Sequence, residues 1–381
     1  MSKKTILILS HVGFDDSPYC SFVHDHAKAL REKGYSVIVL AALYWIPFVA
    51  YLRPNRKKHY QHKKGAQVID GITIIYKKTL SLSNLFKNTP FNFNGYSYFI
   101  SFHRVIKKIF KKNNICFVDA HTFEVEGYVA EKIKRRYKVK TFLTLHGTSF
   151  RNAYTNNFGK AIIKRRSNII DRYICVSANL ERMLKELDIT NTKVIFNGIN
   201  KFDILDVKQK HSIITVASLR KQKNVDLVIK AVKFLIHKYP DISLTIVGDG
   251  DQKNNLMIES NDLLNKNIFF RGSLDNFSTQ KEMAKHDCFI LPSVREGFGI
   301  VYIEAMRNHC ITIGTKHEGI DGVLVNNNNG YLIDPKVESV IEAIENAFDH
   351  PQEVVRTNGY NVSKNFGWDI NAENYIELSK Q

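Results

Sequence analysis

Two series of short, apolar, β-rich runs alternate with helical stretches along this chain, and that alternation constrains its fold more than any other feature. The first series takes in Thr5 to Ser10, Val37 to Leu40, Ile72 to Tyr76, Ile115 to Ala120, Lys140 to Leu145, Tyr173 to Val176 and Lys193 to Phe196. Between them, Ser21 to Lys33 has helical spacing and closes at Gly34, and Tyr98 to Lys112 reads as an amphipathic helix with a basic face. The second series starts at Ser212 to Val216 and continues through Ser243 to Val247, Asn267 to Phe270, Cys288 to Leu291 and Ile311 to Ile313. Strands separated by helices pair in parallel, so the pattern predicts α/β architecture with two doubly wound sheets in tandem. Ligands of such sheets bind at the carboxyl ends of the strands.

With 381 residues the chain has room for two domains of ordinary size. Its five cysteines are scattered, mostly in apolar runs and without a Cys-x-x-Cys pair, which predicts reduced thiols in a cytosolic protein and argues against structural zinc. No signal peptide is read at the N-terminus. Val37 to Leu52 is nearly all apolar, but it contains Pro47 and begins as a β-rich run. It therefore reads as a buried strand followed by an exposed apolar loop or short helix rather than a membrane span.

The net charge of +18 is concentrated in one half. Residues 1–203 hold 35 Lys and Arg against 14 Asp and Glu, giving 35−14=+21; the remainder holds 20 against 23, giving −3. An anionic partner should meet the first half. No nucleic-acid module is recognisable, so the partner is expected to be an anionic inner-leaflet membrane surface, with the cluster from Arg53 to Lys64 beside aromatic residues at its edge.

Chemistry concentrates in Cys288 to Met306, which contains Pro292-Ser293, Glu296-Gly297-Phe298-Gly299 and Glu304-Ala305-Met306. A glycine turn opening a helix presents backbone N–H groups and a positive dipole end to a phosphate. Glu296 can accept hydrogen bonds from sugar hydroxyls, and Glu304 can hold a vicinal diol such as ribose. The passage resembles the Glu-x7-Glu signature of retaining GT-B glycosyltransferases, specifically glycosyltransferase family 4. The resemblance implies two Rossmann-like domains facing across a cleft. The first would span 1–199, a linker 200–211, the donor domain 212–364, and a C-terminal helix 365–381 would pack back on the first domain.

That resemblance also implies the remaining assignments. His146, in a His-Gly at a strand end, would lie near the donor's anomeric carbon and join Glu296 and Lys223 as catalytic residues. Glu304, Gly297, Phe298, Gly299, Ile300, Val301, Arg220, Arg271 and Gly13 would meet the donor. Ser218 stands where the family has an arginine, with Arg220 two residues on as a substitute. Asn197-Gly198-Ile199-Asn200 reads as a hinge turn needing positive φ at glycine. Asp249-Gly250-Asp251 has the look of a metal motif, but the family has a tight turn there and uses no divalent cofactor. Asp119, His121 and Gly127 are expected to border the acceptor pocket, with no assigned roles. His309 and Ile311 depart from the family's Gly-x-Pro. The expected activity is transfer of a hexose, with retention, from a UDP- or GDP-sugar type of donor to a lipid-linked saccharide in cell-surface polysaccharide assembly. Alternatives are a catalytically weakened membrane or polyanion-binding protein of the same fold, or a nucleotide-sugar epimerase.

Overall fold

The computed structural model describes residues 3–10, 21–45, 65–81, 92–200 and 207–381. They form two compact units, residues 1–176, 180–198 and 368–381 in one and residues 177–179 and 199–367 in the other. Among the described residues no helix is long and apolar enough to cross a membrane. Gly13, the apolar stretch beyond β2 and the Arg53 to Lys64 cluster lie outside the described residues.

The first unit is built on an eight-stranded sheet. Its strands are β1 (Lys4–Ser10), β2 (Ser36–Trp45), β3 (Gly65–Ile69), β4 (Ile72–Leu80), β5 (Asn114–His121), β6 (Lys140–Leu145), β7 (Arg172–Cys175) and β8 (Thr192–Val194), in the order β3-β4-β2-β1-β5-β6-β7-β8. All pairs are parallel except β3 with β4, an antiparallel edge hairpin turning at Asp70-Gly71. Helices α1 (Ser21–Glu32), α2 (Phe93–Lys112), α3 (Val125–Tyr137), α4 (Thr148–Tyr154), α5 (Asn157–Ser167) and α6 (Ala178–Lys185) connect the strands. β1 and β5 carry the apolar runs that bury them on both faces, as parallel strands require. Of the helices numbered next, α13 (Trp368–Lys380) belongs to this unit. Its Trp368, Ala372, Tyr375, Ile376 and Leu378 enter the same core as Ile6, Val39 and Phe142.

The second unit has six parallel strands, β9 (Gln209–Val216), β10 (Ser243–Val247), β11 (Ile268–Gly272), β12 (His286–Ile290), β13 (Ile311–Thr315) and β14 (Tyr331–Ile333). Their order is β11-β10-β9-β12-β13-β14, so the winding reverses between β9 and β12. Helices α7 (Val225–Leu235), α8 (Lys253–Ser260), α9 (Asn276–Ala284), α10 (Ile300–Arg307), α11 (Val337–Asp349) and α12 (Glu353–Ser363) cover the sheet. The aliphatic face of α7, with Val228, Ile229 and Val232, packs on Ile213, Leu244 and Ile290.

Three details differ from the reading of the sequence. β9 begins at Gln209, so the polar Gln209, Lys210 and His211 are strand rather than linker; Gln209 N–H bonds Lys285 O at the sheet's open end. β14 is too short to show a period. Gly198 does not take positive φ. A Cβ there would lie 2.5 Å from Trp368 N, so the glycine serves close backbone approach instead of a left-handed turn.

Candidate active site

The loops after β9 and β12 lie side by side where the second sheet's winding reverses. Switch points of this kind open a crevice at the strand ends. The β9 loop leads through Ser218 and Arg220 into a 3-10 turn, Lys221–Lys223, and then α7. The β12 loop runs from Leu291 to Gly299 and opens α10. Cross-bonds join the loops: Asn224 Nδ2 donates to Pro292 O (2.9 Å) and Val294 N to Gln222 O (2.9 Å). Beneath them the buried Tyr302 hydroxyl donates to Leu291 O (2.7 Å).

This frame brings Lys223 onto Glu296 as an ion pair, with both side chains less than a fifth exposed. Ser293 Oγ donates to the same carboxylate oxygen at 3.1 Å. The backbone at Glu296 is held from the other side by Glu318, in the loop after β13. Its two carboxylate oxygens accept from Arg295 N (2.8 Å) and Glu296 N (2.9 Å). That grip fixes Arg295 at φ +62°, a left-handed conformation that costs a residue with a Cβ about 1 kcal/mol or more. The adjoining Gly319 lies so close that a Cβ would sit 2.6 Å from Gly297 O.

Gly299 takes φ +83° and has the Tyr302 ring 2.5 Å from where a Cβ would stand, so the turn into α10 admits no side chain. The N-cap residue of α10 is Gly299, which has no side chain to cap the first turn. Its leading N–H groups, at Ile300 and Val301, carry the dipole's positive end. One turn further, Glu304 Oε1 accepts from Asn276 Nδ2 of α9 at 3.1 Å. The Glu296, Lys223, Glu304, Gly297, Gly299, Ile300 and Val301 positions thus share one corner of the second unit.

Other expected residues are placed differently. Phe298 is buried and stacks on Phe366 with ring centroids 5.8 Å apart, so only its backbone can meet a ligand. Arg220 is exposed and lines a depression of about 240 Å³ with Asp226, Lys230 and Gln252, rather than joining the Lys223–Glu296 pair. Arg271, at the end of β11, pairs with Glu282 (3.5 Å) and lies over the Phe269 ring. Asp249 accepts from Gly250 N (2.8 Å) and Lys253 Nζ (3.0 Å), an arrangement that spends its carboxylate within its own turn. Behind α10, His309 stacks on Tyr360 at 4.1 Å where the family's Gly-x-Pro would be.

In the first unit, His146 follows β6 and precedes Gly147, which takes φ +106° and opens α4. Its ring packs against Phe22 (centroids 4.3 Å) and stacks on His121 (5.2 Å, 12°). His146 Nε2 meets His121 Nδ1 at 2.9 Å. His121 Nε2 in turn lies 3.0 Å from Asp119 Oδ2, and His26 Nε2 lies 3.3 Å from the same oxygen. Asp119, His121 and His26 are all buried. Burial alone would raise the Asp119 carboxyl, but the charges of His121 and His26 hold it well below the usual carboxylate range. Thr144 Oγ1 donates to Asp119 Oδ1 (2.7 Å). Asp119 and His121 therefore lie under His146 rather than on an open pocket wall. Gly127 lies within α3, where a Cβ would meet the Arg166 guanidinium at 2.7 Å; it accommodates that buried arginine.

Glu318 and Ser293 were not singled out from the sequence as site residues. Glu318 acts on backbone across 22 positions, which no local spacing encodes. Ser293, three residues before Glu296, was visible as part of Pro-Ser but without a role.

Comparison with known proteins bears on the family and the fold. The chain matches the family model for glycosyltransferase family 4 over residues 21–201 and that for glycosyl transferases group 1 over residues 198–362. The chain belongs to the family 4 glycosyltransferases. This family 4 chain is 27% identical over 284 residues to an uncharacterized glycosyltransferase of Methanocaldococcus jannaschii, covering 73% of this chain and 78% of that one. It is 26% identical over 297 residues to the GPI3 subunit of phosphatidylinositol N-acetylglucosaminyltransferase from Saccharomyces cerevisiae, covering 72% of this chain and 65% of that one. It is 28% identical over 222 residues to the N-acetyl-alpha-D-glucosaminyl L-malate synthase of Bacillus anthracis, covering 54% and 57%. The match thus spans less than two thirds of the yeast and Bacillus proteins.

Among solved structures, sucrose-phosphate synthase from Thermosynechococcus elongatus superimposes with a TM-score of 0.77 at 16% identity, covering 100% of this chain and 98% of the other. The Anabaena HepE protein in complex with UDP and glucose gives 0.69 at 17%, covering 99% and 100%. Both likenesses establish the GT-B fold for the family 4 chain.

Proposed function

We propose that this protein is a retaining transferase that moves a hexose unit from a nucleotide diphosphate sugar to a lipid-linked saccharide acceptor. The observation that carries the reading is Glu296 clamped between Lys223, Ser293 and the Glu318-held backbone, beside a helix start whose N-cap is Gly299. Glu296 and the amides of Gly297 to Gly299 would bind donor-sugar hydroxyls. Glu304, oriented by Asn276, would grip the ribose diol. A lysine ammonium has three donors, so Lys223 can keep Glu296 and still meet a phosphate oxygen. With the α10 N-terminus it would stabilise charge growing on the departing diphosphate, an electrostatic contribution that needs no protein nucleophile. The leaving phosphate would then help to deprotonate the acceptor on the same face of the sugar. The chain itself needs no metal in this scheme.

Relatives lend support to donor and acceptor class. The HepE structures hold UDP and glucose or UDP-glucose, and the yeast relative is named for N-acetylglucosaminyl transfer to phosphatidylinositol. An anionic membrane face for the first unit is supported by α2. Tyr96 (44% exposed) and Ile100 (50% exposed) begin a stripe that continues through the exposed Arg104, Lys107, Lys108 and Lys111 at helical spacing. Apolar residues followed by cations along one helix face suit the inner leaflet of a cell membrane, where the acceptor of a surface polysaccharide would be presented.

Thermal-shift measurements with UDP-, GDP- and ADP-sugars, UDP-N-acetylglucosamine included, test the donor. Release of nucleoside diphosphate that depends on an added membrane extract tests transfer. A protein stabilised by none of these sugars would refute the proposal and favour a binding module that has lost turnover, in keeping with Ser218 at the family's arginine position.

A further inference from the structure

Asp119 and His121 stand two residues apart at the end of β5, so they share one face of the sheet, and His26 reaches the same place from α1. All three are buried, with 0%, 3% and 2% exposure. His121 Nε2 and His26 Nε2 lie 3.0 and 3.3 Å from Asp119 Oδ2, and the three atoms fall within 4.8 Å of one another. Among the described residues none of the three atoms has a hydrogen-bond partner. The separations suit hydrogen bonds, so what fails is direction: the ring nitrogens lie beside the oxygen rather than aim at it. Buried polar atoms are nearly always paired, and three orphans in one place call for a water or an ion between them.

Spacing separates the two. A water bonded to all three atoms at about 2.8 Å would hold them about 4.6 Å apart, wider than the 3.0 and 3.3 Å found. Bonds of about 2.0–2.1 Å to one metal ion set neighbouring ligand atoms about 3.0–3.4 Å apart, and place two imidazole centroids about 5–5.5 Å apart. The His26 and His121 centroids are 5.5 Å apart, with the rings at 63°. The outer atoms of the same groups are engaged as a metal's ligands require. Asn371 Nδ2 donates to Phe196 O (2.7 Å), which leaves its Oδ1 to accept from His26 Nδ1 (2.7 Å). With that proton on Nδ1, neutral His26 presents a lone pair at Nε2. His121 Nδ1 lies 2.9 Å from His146 Nε2, and Thr144 Oγ1 donates to Asp119 Oδ1 (2.7 Å). Ligating histidines and carboxylates are oriented in this way, by hydrogen bonds on the atoms turned away from the ion.

We propose that His26 Nε2, His121 Nε2 and Asp119 Oδ2 bind one divalent transition-metal ion of the zinc type. Two imidazoles and a carboxylate are a donor set that zinc takes. On the ion both rings are neutral, and the metal's charge replaces theirs beside Asp119. The role is structural: the ion fastens α1 to β5, and Asn371 extends the hold to α13. The inference does not rest on the transferase reading, whose scheme assigns no step to a metal.

The test is elemental analysis of the full chain, made without a histidine tag, folded in the presence of zinc and passed through a desalting column. About one equivalent of zinc per chain is expected. Stripping it with a chelator should lower the melting temperature by several degrees, and added zinc should restore it, because the ion binds the folded chain. Cobalt(II) in its place should give the visible absorption of a four-coordinate ion. The double variant His26→Gln, His121→Gln should hold less than about a fifth of an equivalent and lose the response to zinc. Where that variant does not fold, X-ray absorption at the zinc edge of the wild type decides: nitrogen and oxygen neighbours with imidazole scattering uphold the site, and sulfur neighbours overturn it. Wild-type protein that retains no zinc, a melting temperature indifferent to zinc, or full zinc content in the double variant would each overturn the proposal. Zinc bound as expected in a protein that transfers no sugar would overturn the transferase reading and uphold the ion site.

Discussion

Removing the Glu318 carboxylate should loosen the loop that carries Glu296 without touching Glu296 itself. Glu318 accepts two backbone N–H groups, from Arg295 (2.8 Å) and Glu296 (2.9 Å). A hydrogen bond to a charged group contributes about 1.5–3 kcal/mol when buried; halving this for a partly exposed carboxylate gives about 1.5–3 kcal/mol for the pair. Against it stands about 1 kcal/mol for Arg295 in its left-handed conformation. The formed loop is then favoured by about 0.5–2 kcal/mol, and in Glu318→Ala it becomes disfavoured by about 1 kcal/mol. A two-state loop with those values drops from mostly formed to about 15% formed, so kcat/KM should fall roughly four- to sixfold. The strain has a separate signature: adding Arg295→Gly to Glu318→Ala should return about two- to threefold of the loss, because glycine adopts positive φ freely. The assay is donor-dependent nucleoside diphosphate release for the wild type, both single variants and the double variant. A Glu318→Ala enzyme within 1.5-fold of wild type, or a double variant no better than it, would refute the clamp.

Glu304→Ala should weaken nucleotide binding in a thermal-shift titration, whereas Glu296→Ala should bind nucleotide and lose turnover; normal turnover in both would remove these residues from the site. Lys223→Met should cost about 10²–10³ in kcat through lost stabilisation of the leaving diphosphate, measured under donor saturation. His286 is held below its ordinary value of 6.5 by burial, with Nδ1 donating to Glu282 O and Nε2 facing Thr245 Oγ1. Its neutral form is the folded form, so stability should decline as pH falls from about 6.5 toward the lowered folded value; His286→Gln should flatten melting temperature against pH over that window, a result checked by calorimetry. Reversing Lys107, Lys108 and Lys111 to glutamate should abolish flotation with anionic vesicles at low salt while leaving the melting temperature within a few degrees.

The sheets were legible because their strands are buried on both faces and so appear as unbroken apolar runs, as in Ile6 to Leu9 or Cys288 to Leu291. The GT-B family showed in the spacing of Glu296 and Glu304 around Gly297 and Gly299, residues that neighbour each other along the chain and then again in space. What stayed hidden depends on distant pairs. Glu318 reaches the Glu296 backbone from another strand's loop, and His26 reaches Asp119 from α1. Gly198 was read as a turn because local sequence cannot reveal Trp368 pressing on it from 170 positions away. The polar start of β9 was misread because an alternating burial signal is missing where a strand emerges into solvent.

The lodging of Trp368, Tyr375 and Ile376 among the aliphatics of β1 and β2 bears on how the polypeptide matures. During synthesis the first sheet emerges from the ribosome long before the segment that completes its interior. Until residues 368–380 arrive, the nascent first unit exposes greasy surface. Chaperone occupancy on stalled translation intermediates should therefore persist past residue 200 and end only once the final helix has cleared the exit tunnel.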